Sequence, residues 1–234
     1  MNNIVFDWKK YENELWLRPA KLCSYLSERW QNYGKKKVLD LGCGLGRNSV
    51  YFATKGFDVT AIDISDYAIS YTEKQAQDNH LDIDCRLGDF MEMDIPEDTY
   101  DAIIVYNVVF QQNTEAFKKL ITKIKKALKV GGELYITLIS KDTLEYVTAK
   151  NENRADRNTV VKLDEYGEKN YHFFVDICDI IEYFHGFRFV DNPVERVVYD
   201  LECIGGACAI DNKFGQQLRC RNSHFELLVQ KVEE

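Results

Sequence analysis

Apolar and polar positions in the first 140 residues alternate between two rhythms. Val38-Leu39-Asp40-Leu41 is a short apolar run closing on glycines, which predicts a buried strand. Asn48 to Lys55 reads as a helix, with Gly56 placed to end it. Phe57 to Ile62 is a second strand ending at Asp63, and Ser65 stands where it can cap a helix carrying Ala68, Ile69, Tyr71 and Ala76 on its apolar face. Leu81, Ile83, Cys85 and Leu87 alternate with polar residues, predicting a strand with one buried face, and Ala102 to Val105 is a fourth strand. Phe117, Leu120, Ile121, Ile124 and Leu128 recur at helical spacing, and Gly131-Gly132 then turns the chain into a fifth strand, Leu134 to Ile139. Strands alternating with helices imply a parallel sheet covered on both faces.

Beyond residue 140 the rhythm changes. Lys141 to Tyr166 is polar and weakly periodic, an insertion or a lid; Ile177 to Phe184 reads as one more helix. Phe187 to Tyr199 and His224 to Lys231 are strand-like and joined by residues 203–221, which suggests an antiparallel hairpin at the sheet edge. At the other end, Trp8 to Trp30 is aromatic-rich and helical in character.

Composition narrows the classes. The 234 residues carry 30 Lys and Arg against 38 Asp and Glu, a net charge of −8, so nothing draws the chain as a whole to a nucleic-acid backbone or an anionic membrane. Lys118, Lys119, Lys123, Lys125 and Lys126 could form a local basic patch, but the reading preferred for an acidic chain is a solvated helix face. The N-terminus lacks the basic-then-apolar pattern of a signal peptide, and no apolar run approaches the ~18 residues of a membrane span. Seven cysteines fit reduced thiols in a cytoplasm better than a disulfide framework. With three prolines and no repeat, residues 1–234 read as one domain.

The chemistry concentrates in Asp40-Leu41-Gly42-Cys43-Gly44-Leu45-Gly46-Arg47-Asn48, set between a predicted strand and a predicted helix. Glycines there let the backbone turn sharply and let a ligand approach the main chain, at the carboxyl ends of the parallel strands. Asp63, 21 residues after Gly42, ends the second strand, where a carboxylate can accept from both hydroxyls of a ribose; its alternative role is a turn before the next helix. Asp89 follows the third strand, where it could meet an adenine amino group while Phe90 packs on the ring, or could simply make a turn. A dinucleotide site would have G-x-G-x-x-G; here Arg47 holds the third glycine's place and Asp40 flanks the loop, which suits a cofactor bearing cationic groups.

DLGCGLGRNS resembles motif I of the class I S-adenosylmethionine-dependent methyltransferases. The resemblance continues through Ala61-Ile62-Asp63-Ile64-Ser65, Gly88-Asp89-Phe90, Tyr100-Asp101-Ala102-Ile103-Ile104 and Leu128-Lys129-Val130-Gly131-Gly132-Glu133-Leu134, covering residues 34–140 closely. It implies a Rossmann-like α/β fold with a seven-stranded, mostly parallel sheet whose last strand is antiparallel. It also implies S-adenosylmethionine as cofactor, with Gly42, Cys43, Gly44, Asp63, Ile64, Asp89, Phe90, Tyr106 and Asn107 in contact, and with Asp40, Gly46 and Asn48 completing the candidate set. On this reading residues 1–33 are a helical lid, 34–140 the cofactor-binding core, and 141–234 a substrate-side insertion plus hairpin. Family members often carry a pair of histidines after the fourth strand; Phe110 and Gln111 stand here instead.

The activity so implied is transfer of the sulfonium methyl to an acceptor, for which positioning and exclusion of water are the main tasks and a base is needed only if the acceptor must lose a proton. There is no Asn-Pro-Pro-Tyr segment, so a small molecule is favoured over nucleic acid; a protein or RNA methyltransferase and a noncatalytic cofactor-binding protein are the alternatives. Tyr11, Trp16, Arg18 and Gln111 are candidates for the acceptor pocket, with Trp8; the N-terminal aromatics could equally pack a helix on the sheet. His172 is the candidate base, with a structural histidine as the alternative. Cys203, Cys208, Cys220 and His224 are spaced such that they could hold zinc, but paired C-x2-C knuckles are lacking and no metal is expected. The expected protein is a cytoplasmic monomer or homodimer.

Overall fold

A computed structural model describes residues 7–11, 17–163, 167–200, 210–211, 217–218 and 220–232. Helix α1 (Cys23–Asn32) precedes β1 (Lys37–Leu41), α2 (Arg47–Thr54), β2 (Asp58–Asp63), α3 (Asp66–Asp78), β3 (Ile83–Leu87), β4 (Tyr100–Val105), α4 (Thr114–Ala127) and β5 (Leu128–Ile139). The caps follow the sequence: the Ser65 hydroxyl accepts from Ala68 N–H at 3.3 Å, and the Asn113 side chain accepts from Ala116 N–H at 2.9 Å. Then come α5 (Leu144–Thr148), β6 (Arg154–Asp156), β7 (Thr159–Leu163), β8 (Lys169–Phe173), α6 (Ile177–Tyr183), β9 (Phe187–Phe189) and β10 (Val194–Asp200). The short pair β11 (Ile210–Asp211) and β12 (Gln217–Leu218) leads to β13 (Cys220–Lys231).

Among the described residues the main sheet runs β10-β13-β5-β4-β1-β2-β3, with β9 also on β13. The pairs β3–β2, β2–β1, β1–β4 and β4–β5 are parallel, whereas β13 is antiparallel to β5, β9 and β10. The predicted strand Phe187 to Tyr199 is thus two strands. The chain breaks pairing after Phe189, and β9 and β10 take successive stretches of one edge of the 12-residue β13. At the other edge, β3 is only half covered, and Leu87 is 52% exposed rather than buried as its alternation suggested.

Each face of the sheet carries a core. Phe117, Leu120, Ile124, Ile180 and Phe184 from α4 and α6 cover one, while Leu26 and Trp30 of α1, with Phe52 and Phe57, cover the other. On that second face a fully buried carboxylate, Glu133, takes a fork from Arg29 (2.9 and 3.0 Å) and the Trp30 indole N–H at 3.0 Å, clamping α1 to β5. Ala20, Cys23, Leu26 and Trp30 of this N-terminal segment are buried in that second core.

The polar insertion is also ordered. β6, β7 and β8 form a three-stranded antiparallel sheet anchored where Phe173 N–H meets the Phe110 carbonyl at 3.0 Å and its ring stacks on Phe117 at 4.5 Å. This sheet stands beside the carboxyl ends of β4 and β5.

Candidate active site

A cleft of about 1290 Å³ opens at the carboxyl ends of β1, β2, β4 and β5. Its first half is made by the glycine loop. Gly44 has φ +55°, and a Cβ there would sit 2.6 Å from the Trp8 ring, so only glycine lets Trp8 lie on the loop. The Gly44 N–H donates to Asp63 Oδ2 at 2.8 Å, and Asp63 Oδ1 accepts from Ser65 N–H at 2.9 Å. Burial raises the Asp63 carboxyl above its ordinary value while those two N–H groups oppose the rise. Asp63 therefore both braces the loop and lines the cleft.

Gly42, Cys43, Asn48, Ile64, Asp89, Phe90, Tyr106, Asn107 and Gln111 also line the cleft. Asp89 does make a turn, accepting from Met91 N–H at 2.8 Å. Asn107 adopts φ +57° directly after β4; its N–H donates to the Thr137 hydroxyl at 2.7 Å, which itself donates to Asn107 Oδ1 at 3.2 Å. Asn48 Oδ1 accepts from Ala20 N–H at 3.0 Å, which ties the cleft to the segment before α1. The Tyr106 ring lies between Tyr135, at 6.2 Å, and the Arg47 guanidinium, at 5.2 Å.

Four of the expected contacts are not among the residues that line the cleft. Asp40 is buried beneath the loop, accepting from the Ser49 hydroxyl at 2.6 Å, and burial pushes its carboxyl up to about 6. Gly44 and Gly46 support the loop from behind its wall; Gly46 starts α2 with φ +74° against Thr72. Arg18 is exposed and its carbonyl accepts from Arg47 at 3.4 Å. The Tyr11 side chain and Trp16 lie outside the described residues, as do Cys203, Cys208 and the Cys220 side chain. Among the described residues no cluster of His, Cys, Asp or Glu could hold a metal ion.

The second half of the cleft is formed by the start of α4, α5, β8 and β13, and its lining is mixed: Gln111, Gln112, Asn113, Asn170 and Asn222 stand with the charged Glu115, Lys119, Glu145, Glu168 and Lys169 and the apolar Leu138, Ile139 and Phe174. His172 does not reach this wall. Tyr171 lines the cleft, while His172 Nδ1 pairs with Glu145 Oε1 at 2.6 Å. Glu145 does line the cleft, and His172 with Lys162 holds its carboxyl below the ordinary value against the effect of burial.

Trp8, a candidate from the sequence, does line the cleft; sequence reasoning missed Arg47, Thr137, Glu145 and the place of His224 in it. Thr137 carried no signal, sitting mid-strand among apolar residues. Lys123, assigned to water, instead donates to the Met91 carbonyl at 2.9 Å and to that of Met93, holding the loop that carries Asp89 and Phe90. The other lysines of α4 do face outward, with Lys126 on Glu97 at 3.0 Å and Lys119 on Glu115 at 3.9 Å.

A parallel β3-β2-β1-β4-β5 sheet extended by an antiparallel β13, with a glycine loop after β1 and carboxylates after β2 and β3, is the class I S-adenosylmethionine-dependent methyltransferase fold. The comparisons agree. Residues 38–132 match the family model described as a methyltransferase domain. TehB from Haemophilus influenzae is 36% identical over 107 residues, 45% of this chain and 37% of its own, and its crystal structure matches with a TM-score of 0.62 at 22% identity over 89% of this chain and 62% of that one. A ubiquinone biosynthesis O-methyltransferase from Glaesserella parasuis is 26% identical over 170 residues, 71% of this chain and 70% of its own. A methyltransferase structure from Methanosarcina mazei matches with a TM-score of 0.65 at 18% identity, covering 87% of this chain and 97% of that one. This chain thus spans well under half the length of the TehB relative. The chain has the class I methyltransferase fold, and residues 38–132 match a methyltransferase domain; the cofactor of that fold family is S-adenosylmethionine.

The residues present fit that group. Two carboxylates, Asp63 and Asp89, face the cleft beside a loop where an added Cβ at Gly42 would collide with Val108 at 2.5 Å, and Ile64 and Phe90 supply apolar faces between them. Acidic groups about the loop, Asp63 on the cleft and Asp40 beneath it, oppose a bound diphosphate.

Proposed function

We propose that the protein transfers the methyl group of S-adenosylmethionine to a small, polar acceptor. The observation that carries this reading is the continuity of one cleft from the glycine loop to a mixed wall bearing carboxamides and charged groups. When bound, the donor supplies a methyl group already activated on a sulfonium. Asp63 holds the ribose hydroxyls and is itself fixed by the Gly44 and Ser65 amides. Asp89 and Phe90 hold the adenine, on a loop kept in place by Lys123. Asn107, locked by Thr137, fixes the point where the two halves meet. Trp8 and Tyr106 shield that junction from water.

The carboxamides and charged groups of the acceptor half favour a polar acceptor, since an apolar one lying against them would leave them desolvated and unpaired. No described helix is long and apolar enough to cross a membrane, and the described cysteines, Cys23, Cys43, Cys85 and Cys178, are free thiols, which supports work in a reducing cytoplasm.

The test is methyl transfer from labelled S-adenosylmethionine to a panel of polar heteroaromatic, amine, thiol and hydroxyl compounds, run beside a long-chain quinol and a sterol. Product is expected from the polar set. Preferential methylation of the quinol or the sterol overturns the polar reading.

A further inference from the structure

His224 stands at one end of the cleft without a role in the fold's core. It lies on β13 between two residues whose side chains are committed elsewhere: Ser223 bonds Glu195 at 2.6 Å, and Phe225 enters the hydrophobic core. The imidazole is 30% exposed and lines the acceptor half of the cleft, beside Asn222 and Ser223 and opposite Ile139 of β5 in the strand register. We propose that His224 receives the proton released by the acceptor, which assigns the acceptor to the class of hydroxyl, thiol or protonated-amine compounds that must lose a proton on methylation. The inference rests on the methyl-transfer reading above.

The step balances without a further reagent. A lone pair of the acceptor heteroatom forms the new bond to the methyl carbon, the carbon–sulfur bond breaks with its electron pair left on sulfur as a thioether, and the acceptor's proton passes to the imidazole.

The charged groups facing His224 are few. On its own strand Glu226 lies with Oε1 at 4.0 Å, and on β10 its register partner Arg196 pairs with that same Glu226 oxygen at 2.5 Å; β5 contributes only apolar Ile139 at this level. Arg196 thus occupies the carboxylate that would otherwise hold the imidazolium. Burial is the largest influence on the ring and, with Arg196, lowers it below its ordinary value against the pull of Glu226. Both influences favour the neutral ring, the form able to accept a proton. His172, on the far side of the wall, is held on Glu145 instead.

The probe is histidine-labelled protein titrated by NMR with S-adenosylmethionine and, separately, S-adenosylhomocysteine, with His224→Gln identifying the peak among four histidines. Both ligands are expected to bind, with His224 titrating below 6.5 and lower by about 0.5 unit or more with the sulfonium than with the thioether, as for a unit charge within roughly 8 Å in a half-buried site. If both bind and His224 titrates at or above 6.5, or identically with the two, this inference fails and the methyl-transfer reading stands. If neither binds, both fall.

Discussion

Replacing Asp63 by alanine removes the one carboxylate that both braces the glycine loop and faces the cleft. Its oxygens each already accept one backbone N–H, from Gly44 at 2.8 Å and Ser65 at 2.9 Å, and each keeps a second lone pair for a ribose hydroxyl. Hydrogen bonds to a charged acceptor contribute about 1.5–3 kcal/mol each, and water replaces part of that in the variant. A net loss of about 2–4 kcal/mol, roughly 30- to 1000-fold in affinity, is expected for both S-adenosylmethionine and S-adenosylhomocysteine. Asp63→Asn keeps one acceptor but cannot accept from both amides, so its loss is smaller. Calorimetry at fixed pH measures the affinities, and thermal unfolding of the free protein separates loop damage from loss of the ligand contact. Unchanged affinity in a folded Asp63→Ala protein would refute the assignment.

Other expectations are independent of it. Asp40 is buried with its carboxyl raised to about 6, so its ionised form opposes folding: the stability it contributes is present below about pH 4 and lost as pH rises through 6. Asp40→Asn should therefore gain about 2–3 kcal/mol of stability at pH 7.5 and little at pH 4, read from urea unfolding at the two pH values. Glu133→Ala leaves Arg29 and the Trp30 N–H without their acceptor and should cost about 3–5 kcal/mol in the same assay. Gly44→Ala forces a Cβ into the Trp8 ring at φ +55° and should change Trp8 fluorescence and weaken S-adenosylhomocysteine binding at least tenfold; a silent substitution contradicts the placement of Trp8. Lys123→Ala frees the Met91 and Met93 carbonyls and should weaken cofactor binding several-fold with little change in melting temperature.

What the sequence disclosed depended on how local the determinants were. The glycine loop, the capping Ser65 and the carboxylates after β2 and β3 are each specified by neighbours within a few residues, and their placement followed from pattern alone. The Glu133 clamp spans 103 residues to Trp30, and nothing in either segment signals it. The insertion reads only as polar and weakly periodic because β6 to β8 are strands of three to five residues, too short for a clear period: β7 runs Thr-Val-Val-Lys-Leu. His172 is singled out by its place between the fifth strand and the late helix, and the structure pairs it with Glu145, a partner 27 residues away that nothing local signals. His224 was weighed only for its spacing from cysteines, whereas its place in the cleft comes from pairing of β13 with β5, a contact 85 residues apart at Ile139.

The central claim, that one cleft joins a cofactor half at Asp63 to an acceptor half at His224, is tested most directly by a crystal structure with S-adenosylhomocysteine bound. The account predicts ribose hydroxyls on Asp63, the adenine between Asp89 and Phe90, and the sulfur facing an open space walled by Asn107, Glu145 and His224. A ligand bound elsewhere, or a sulfur pointing away from that wall, would contradict it.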